Sequence, residues 1–171
     1  DLAVLPAPDY DLVKMEDYIQ VGARYGPARA PEFPSVWMIA TRGCPVGCSF
    51  CQVEPISGFK MRTRTPKQIV DELMMLKEKY GIKSVLFDDD IIASKKKFFK
   101  ALMREFIDRE LGLKFLLNNF AIFALDDEMR DLIVEAGCVG INNAIESSNQ
   151  RVMGDVVTKP LDLTKAPGLI K

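Results

Sequence analysis

Two rhythms of apolar residues alternate along the chain. Ser35–Thr41, Lys83–Phe87, Lys114–Leu117 and Cys138–Ile145 are short, apolar runs rich in β-branched and aromatic residues, and they read as buried strands. Between them, apolar residues recur at helical spacing. The first stripe is Ile69, Val70, Leu73, Met74 and Leu76; the second is Phe98, Phe99, Leu102, Met103, Phe106 and Ile107; the third is Met129, Leu132, Ile133 and Ala136. Boundary residues agree with that division. Thr65-Pro66-Lys67-Gln68 has a capping threonine, a proline at the first helical position and a reciprocal glutamine, and Gly81 ends that helix. Ser94 and Asp126 are expected to cap the second and third helices, which close at Gly112 and Gly137. Strand, helix, strand, helix, strand, helix, strand implies an α/β fold of parallel βα repeats with about four strands. The last strand would then be an open edge.

The ends of the chain follow neither rhythm. Residues 1–34 hold Pro6, Pro8, Pro27, Pro31 and Pro34 and read as an extended lead-in or linker, with at most a short helix near Leu12–Ile19. Residues 52–64 read as an exposed connection, and the tail with Pro160 and Pro167 reads as a loop that begins another helix. The chain starts at Asp1, and a piece of a longer protein is expected.

Composition adds mostly exclusions. The 171 residues are 48% hydrophobic and 27% charged, with a net charge of −1. This is ordinary for one globular domain and gives no case for a nucleic-acid or membrane surface. No apolar run reaches the ~20 residues a membrane span needs, and no secretory leader is visible. Free cysteines without a leader suggest a reducing cytoplasm. No histidine is present, which removes Ser-His-Asp and Cys-His nucleophile schemes and most catalytic zinc sites.

The cysteines change the picture. Cys44, Cys48 and Cys51 lie in Cys44-Pro45-Val46-Gly47-Cys48-Ser49-Phe50-Cys51, just after the first strand. Structural zinc needs four ligands, and the remaining cysteine, Cys138, opens a distant apolar strand where it reads as a small core residue. A disulfide framework fits three crowded thiols badly, and a Cys48/Cys51 redox pair leaves Cys44 without a role. Three thiolates at this spacing suit a cubane iron–sulfur cluster with one iron lacking a protein ligand. Further polar groups stand at strand exits: Asp88-Asp89-Asp90, Asn118-Asn119, and Glu146 followed by Ser147-Ser148-Asn149-Gln150-Arg151-Val152-Met153. Each also has a plain reading as a turn former or helix cap. Lys95, Lys96 and Lys97 read as a solvated helix face.

The cysteine motif with its aromatic Phe50, together with the string from Ile145 to Met153, resembles the radical S-adenosylmethionine (SAM) family. The resemblance runs from about Ser35 to Lys165. It implies a (βα)6 partial barrel, of which residues 35–171 would supply the N-terminal portion. It implies that Cys44, Cys48 and Cys51 hold a 4Fe–4S cluster, and that SAM is cleaved reductively to a 5′-deoxyadenosyl radical for hydrogen abstraction or methyl transfer. Phe50, Asp88, Asp89, Glu146 and Arg151 become the expected SAM-binding residues, and one of Asn118 and Asn119 could reach a ligand. The acidic, aromatic and proline-rich lead-in is similar to the segment that joins a cobalamin domain to the radical domain in one branch of the family, so cobalamin joins the expected cofactors. A small-molecule substrate and a low-potential electron donor are the expected partners. An iron–sulfur electron carrier, or a scaffold whose thiols bind zinc or nothing, are the readings from other classes.

Overall fold

The computed structural model describes residues 2–21 and 29–170. Pro27, one of the lead-in prolines, lies outside the described residues. The chain enters through two single 3-10 turns, Leu2–Val4 and Tyr10–Leu12, and helix α1, Met15–Val21. The core then runs β1 (Ser35–Met38), β2 (Thr41–Arg42), α2 (Val53–Ser57), β3 (Arg62–Thr63), α3 (Pro66–Tyr80), β4 (Ser84–Phe87), α4 (Lys96–Asp108), β5 (Lys114–Leu117), α5 (Asp127–Glu135) and β6 (Cys138–Ile141). A π-helical turn, Val152–Val157, and α6, Ala166–Ile170, follow. Strands β1, β4, β5 and β6 form one parallel sheet in that order, and β2 and β3 pair antiparallel as a separate ribbon. The βα repeat expected from the apolar rhythms is therefore present, with α3, α4 and α5 side by side on one face.

That face carries the core. Strand side chains alternate, so Val85, Phe87, Phe115 and Leu117 point to the helices and meet Leu73, Leu76, Phe99, Leu102 and Phe106. Phe106 sits 5.3 Å from Phe115 and 6.1 Å from Phe87, ring centre to ring centre, in tilted and edge-on arrangements that suit aromatic quadrupoles. Leu86 and Leu116 point the other way, against Ala30 and Phe33. Trp37 (38% exposed) and Ile39 (43% exposed) leave that inner face partly open. Among the described residues, no helix is long and apolar enough to cross a membrane.

Several boundaries differ from the expectation, each for a local reason. Helix α3 has the full capping box and the left-handed Gly81 ending, but Met74 is exposed and Glu72 takes an inward position. Glu72 is 4% exposed, pairs with Arg64, and accepts a 2.5 Å hydrogen bond from the Tyr10 hydroxyl. Ser94 does not cap α4. Lys95 holds that position without a side-chain bond, and the Ser94 hydroxyl turns to Met61. Asp126 does cap α5, accepting from the Met129 N–H at 3.0 Å. The 52–64 connection contains α2 and β3 rather than loop alone. The lead-in is not a loose tether in its described part. Met15 and Ile19 are buried, Tyr10 is tied to Glu72, Asp11 pairs with Lys79, and the Gln68 amide donates to the Ala3 carbonyl.

The first and last strands are shorter than their apolar runs. At β1 the chain leaves the sheet after Met38, because one oxygen of the buried Asp89 carboxylate accepts the N–H groups of Ala40 and Thr41 and the Thr41 hydroxyl. At β6 the ladder closes with Asn142 bonded to Leu117 and Phe120, and residues 143–147 run free of the sheet.

Candidate functional site

The ribbon of β2 and β3 closes the base of a long loop, residues 43–61, that leaves the C-terminal end of β1. Open α/β sheets place ligand sites at this end of the strands. The loop turns on two glycines in left-handed conformations, Gly43 (φ 94°) and Gly47 (φ 71°). A Cβ on Gly43 would lie 2.6 Å from the Lys60 carbonyl oxygen and 2.8 Å from that of Gly58, both backbone atoms that cannot step aside. Gly43→Ala should therefore distort the loop before it reaches Cys44. The expected result is a clear loss of thermal stability and of iron retention, while Gly154→Ala, with nothing near its added methyl and no left-handed backbone, should leave both close to the parent. Thermal melts and iron analysis of the two variants check this.

Cys44, Cys48 and Cys51 are free, partly buried thiols lining one cavity of about 210 Å³. Val46, Phe50, Val53, Ile91, Phe120 and Phe123 form its apolar wall, and Asp90, Asn119, Asn143, Glu146 and Lys159 bring polar groups. Internal bonds set the cysteine loop: the Cys51 N–H to the Cys48 carbonyl at 3.0 Å, the Cys44 N–H to the Gly58 carbonyl at 3.1 Å, and the Val53 N–H to the Cys51 sulfur at 3.5 Å. Burial raises the Cys44 and Cys48 thiols above their ordinary range, and neighbouring thiolates add to this. A set of this kind is held as thiolates by a cation, which is how a metal cluster binds. Among the described residues, no three Cys, Asp and Glu side chains close around a single metal ion. Cys138 lies apart in β6, against the core, where burial pushes its thiol up to about 11.

The tail crosses the cysteine loop as a strap. Val157 accepts from the Ser49 N–H at 3.1 Å, Val156 accepts from the Ser49 hydroxyl, and the Thr158 hydroxyl donates to the Gly47 carbonyl at 2.9 Å. Met153 and Val157 are buried beneath it. Beyond it, Lys159 donates to the Ala144 carbonyl and lies 3.3 Å from Glu146.

The expected site residues fall into two groups. Phe50, Glu146 and the three cysteines share the cavity, and of the two asparagines it is Asn119 that reaches it. Asp88, Asp89 and Arg151 do not line it. Asp88 is exposed and accepts from the Asn118 amide at 3.3 Å, and the Asn142 amide donates to the Asn118 oxygen at 2.7 Å. Asp89 is 1% exposed and committed to the end of β1. Arg151 is exposed because the Asn149 side chain caps the N–H groups of 151 and 152, which starts the π-helical turn with the guanidinium toward solvent. Asp90 and Lys159 stand where Asp89 and Arg151 were expected. Asn143 was missed as well: both of its polar side-chain atoms are buried at the cavity without a partner in the protein. A buried amide left in this state calls for a polar ligand. No spacing rule marks Asn143 or Lys159, since the strap that brings Lys159 back is set by tertiary contacts.

Burial pushes Asp89 up to about 7, against the pull of the Thr41 and Ala40 donors. An ordinary aspartate titrates at 3.8, so between these values the folded chain keeps a proton that the unfolded chain has lost. The Asp89 contribution to stability therefore falls as pH rises from about 4 to about 7. Melts across that window should show the decline, and Asp89→Asn should flatten it.

The comparisons with known proteins agree with this geometry. Residues 38–165 match the model of the Radical SAM superfamily. The cytidylyl-2-hydroxyethylphosphonate methyltransferase of Streptomyces wedmorensis is 32% identical over 100% of this chain and 32% of its own length. The radical S-adenosylmethionine methyltransferase TsrM from Kitasatospora setae superposes in two solved structures. With its tryptophan substrate and a SAM analogue bound, the TM-score is 0.71 at 23% identity, over 80% of this chain and 27% of that one. With cobalamin and a 4Fe–4S cluster bound, the TM-score is 0.64 at 25% identity, over 71% and 24%. The chain thus spans about a quarter to a third of the length of these relatives. The four-stranded parallel sheet is part of the partial barrel of these enzymes, and the chain belongs to the radical SAM superfamily.

Proposed function

We propose that this chain is the N-terminal portion of a radical SAM enzyme core, spanning residues 35–171 behind a lead-in of residues 1–34, and that its reaction is methyl transfer to an unreactive carbon. The observation that carries the reading is the convergence of three partly buried thiols, Cys44, Cys48 and Cys51, on one cavity with the orphaned Asn143 amide and the Glu146–Lys159 pair. The thiolates would hold a 4Fe–4S cluster, leaving one iron for SAM. When bound, that cluster supplies the single electron that breaks a sulfonium C–S bond, and the cofactors carry the hard chemistry.

The residues of the chain bind, orient and exclude. Glu146 accepts and Lys159 donates, so together they suit a zwitterionic amino acid, while Asn143 can do both for a polar ring. Phe50, Phe120 and Phe123 give the cavity an apolar wall, which would shield a bound cofactor from part of the solvent. Cobalamin is proposed as a second cofactor, on the likeness of the acidic, proline-rich lead-in to the cobalamin-linked branch and on the methyltransferases among the relatives. A small-molecule substrate, a low-potential electron donor and a cytoplasmic setting belong to the same proposal.

Anaerobic reconstitution with iron and sulfide, followed by SAM and a strong reductant, tests the reading. It predicts bound iron and sulfide in a cubane ratio and conversion of SAM to methionine and 5′-deoxyadenosine or to S-adenosylhomocysteine. A fully loaded protein that leaves SAM intact would instead be an electron carrier.

A further inference from the structure

The acidic run after β4 does not act as one group. Asp88 faces solvent, Asp89 holds the end of β1, and Asp90 does something different. Its Oδ2 accepts the Gly43 N–H at 2.7 Å, across 47 residues of chain, while the residue also lines the cysteine cavity. Gly43 is the residue before Cys44, and it sits at φ 94° where an added Cβ would meet the Lys60 and Gly58 carbonyl oxygens, so the chain passes close to residues 58–60 at this point. Its N–H is directed at Asp90. Immediately before it, the Ala40 and Thr41 N–H groups are taken by Asp89. The stem of the cysteine loop is thus fixed to the end of β4 by two successive carboxylates.

We propose that Asp90 is a positioning residue for the metal-binding loop: its carboxylate clasps the Gly43 N–H and so sets the entry of Cys44 into the site. The inference goes beyond the proposed function, and it rests on that reading only for the cluster measurement below. Removing the acceptor leaves a partly buried N–H unpaired, which should let the stem open about tenfold more often, and an uncharged acceptor should restore part of that.

The variants that decide it are Asp90→Ala, which removes the acceptor, and Asp90→Asn, which keeps a carbonyl oxygen for Gly43 but drops the charge. Asp88→Ala is the control. In the protein without cluster, amide exchange at Gly43 should speed up about tenfold in Asp90→Ala, by a smaller factor in Asp90→Asn, and stay within about twofold of the parent in Asp88→Ala. In reconstituted protein, transfer of iron to a chelator should follow the same order. Equal exchange at Gly43 in Asp90→Ala and the parent would overturn the clasp, whether or not a cluster forms. Equal damage from Asn and Ala would also overturn it, since keeping an acceptor for the Gly43 N–H would then make no difference. Failure of the parent to take up a cluster would count against the proposed function alone, because the exchange measurement does not need one.

Discussion

Replacing any one of Cys44, Cys48 or Cys51 with Ala should abolish the iron–sulfur cluster, while Cys138→Ala should leave it intact. The contrast follows from placement. The three thiols line one cavity on one loop, so each would hold a different iron of a cubane, and two thiolates cannot hold it against solvent and chelation. Cys138 packs in β6 against the core, with a thiol that burial keeps protonated. Iron and sulfide analysis with the visible absorbance of the anaerobic variants reads the outcome directly. Normal iron content in any of the three loop variants would contradict the assignment. The fold should survive these changes, because the core around Phe87, Phe106 and Phe115 is formed without the loop.

The largest effect on stability should come from Glu72→Ala. Glu72 is the acid that holds Arg64 and Tyr10 together where β3, α3 and the lead-in meet. Its side chain is 2% exposed and that of Arg64 is 15% exposed. Removing the acid leaves a guanidinium with little access to water and a tyrosine hydroxyl without its acceptor. Breaking a buried pair from one side costs about 3–5 kcal/mol, which in a chain of this size lowers the melting temperature by on the order of 10 °C. Tyr10→Phe should cost about 1 kcal/mol, as one hydrogen bond lost while the ion pair remains. The double change of Arg64 and Glu72 to Met should recover much of the loss, since no buried charge is left unpaired. A melt of Glu72→Ala indistinguishable from the parent would show that Arg64 reaches water in spite of its burial.

Much of the fold was legible because its elements announce themselves locally. The Thr65–Gln68 capping box, the Asp126 cap and the apolar stripes of α3, α4 and α5 all stand where the sequence puts them. The errors fall where a distant residue overrides the local pattern. The run from Ser35 to Thr41 reads as a single strand, but Asp89 pulls residues 40 and 41 out of it. Helical spacing puts Met74 inside, but Tyr10 and Arg64 make Glu72 the inward residue. In the site, the cysteine spacing points to the three thiols that share the cavity, and the resemblance of the string from Ile145 to Met153 points to Glu146, which lines it. Asp90, Asn143 and Lys159 were not legible in the same way. Which of three adjacent aspartates faces the cavity is decided by the turn after β4. Whether Arg151 or Lys159 supplies the cation is decided by a π-helical turn and its strap over Ser49 and Gly47, neither of which leaves a periodic trace.

If Cys44, Cys48 and Cys51 hold a cubane cluster with one iron open to SAM, the cluster must respond to SAM. Electron paramagnetic resonance of anaerobically reconstituted, reduced protein, recorded with and without SAM, reads that response. The expected result is a reduced 4Fe–4S signal whose shape changes when SAM is added and which is lost in Cys48→Ala. A cubane signal indifferent to saturating SAM would refute the open iron.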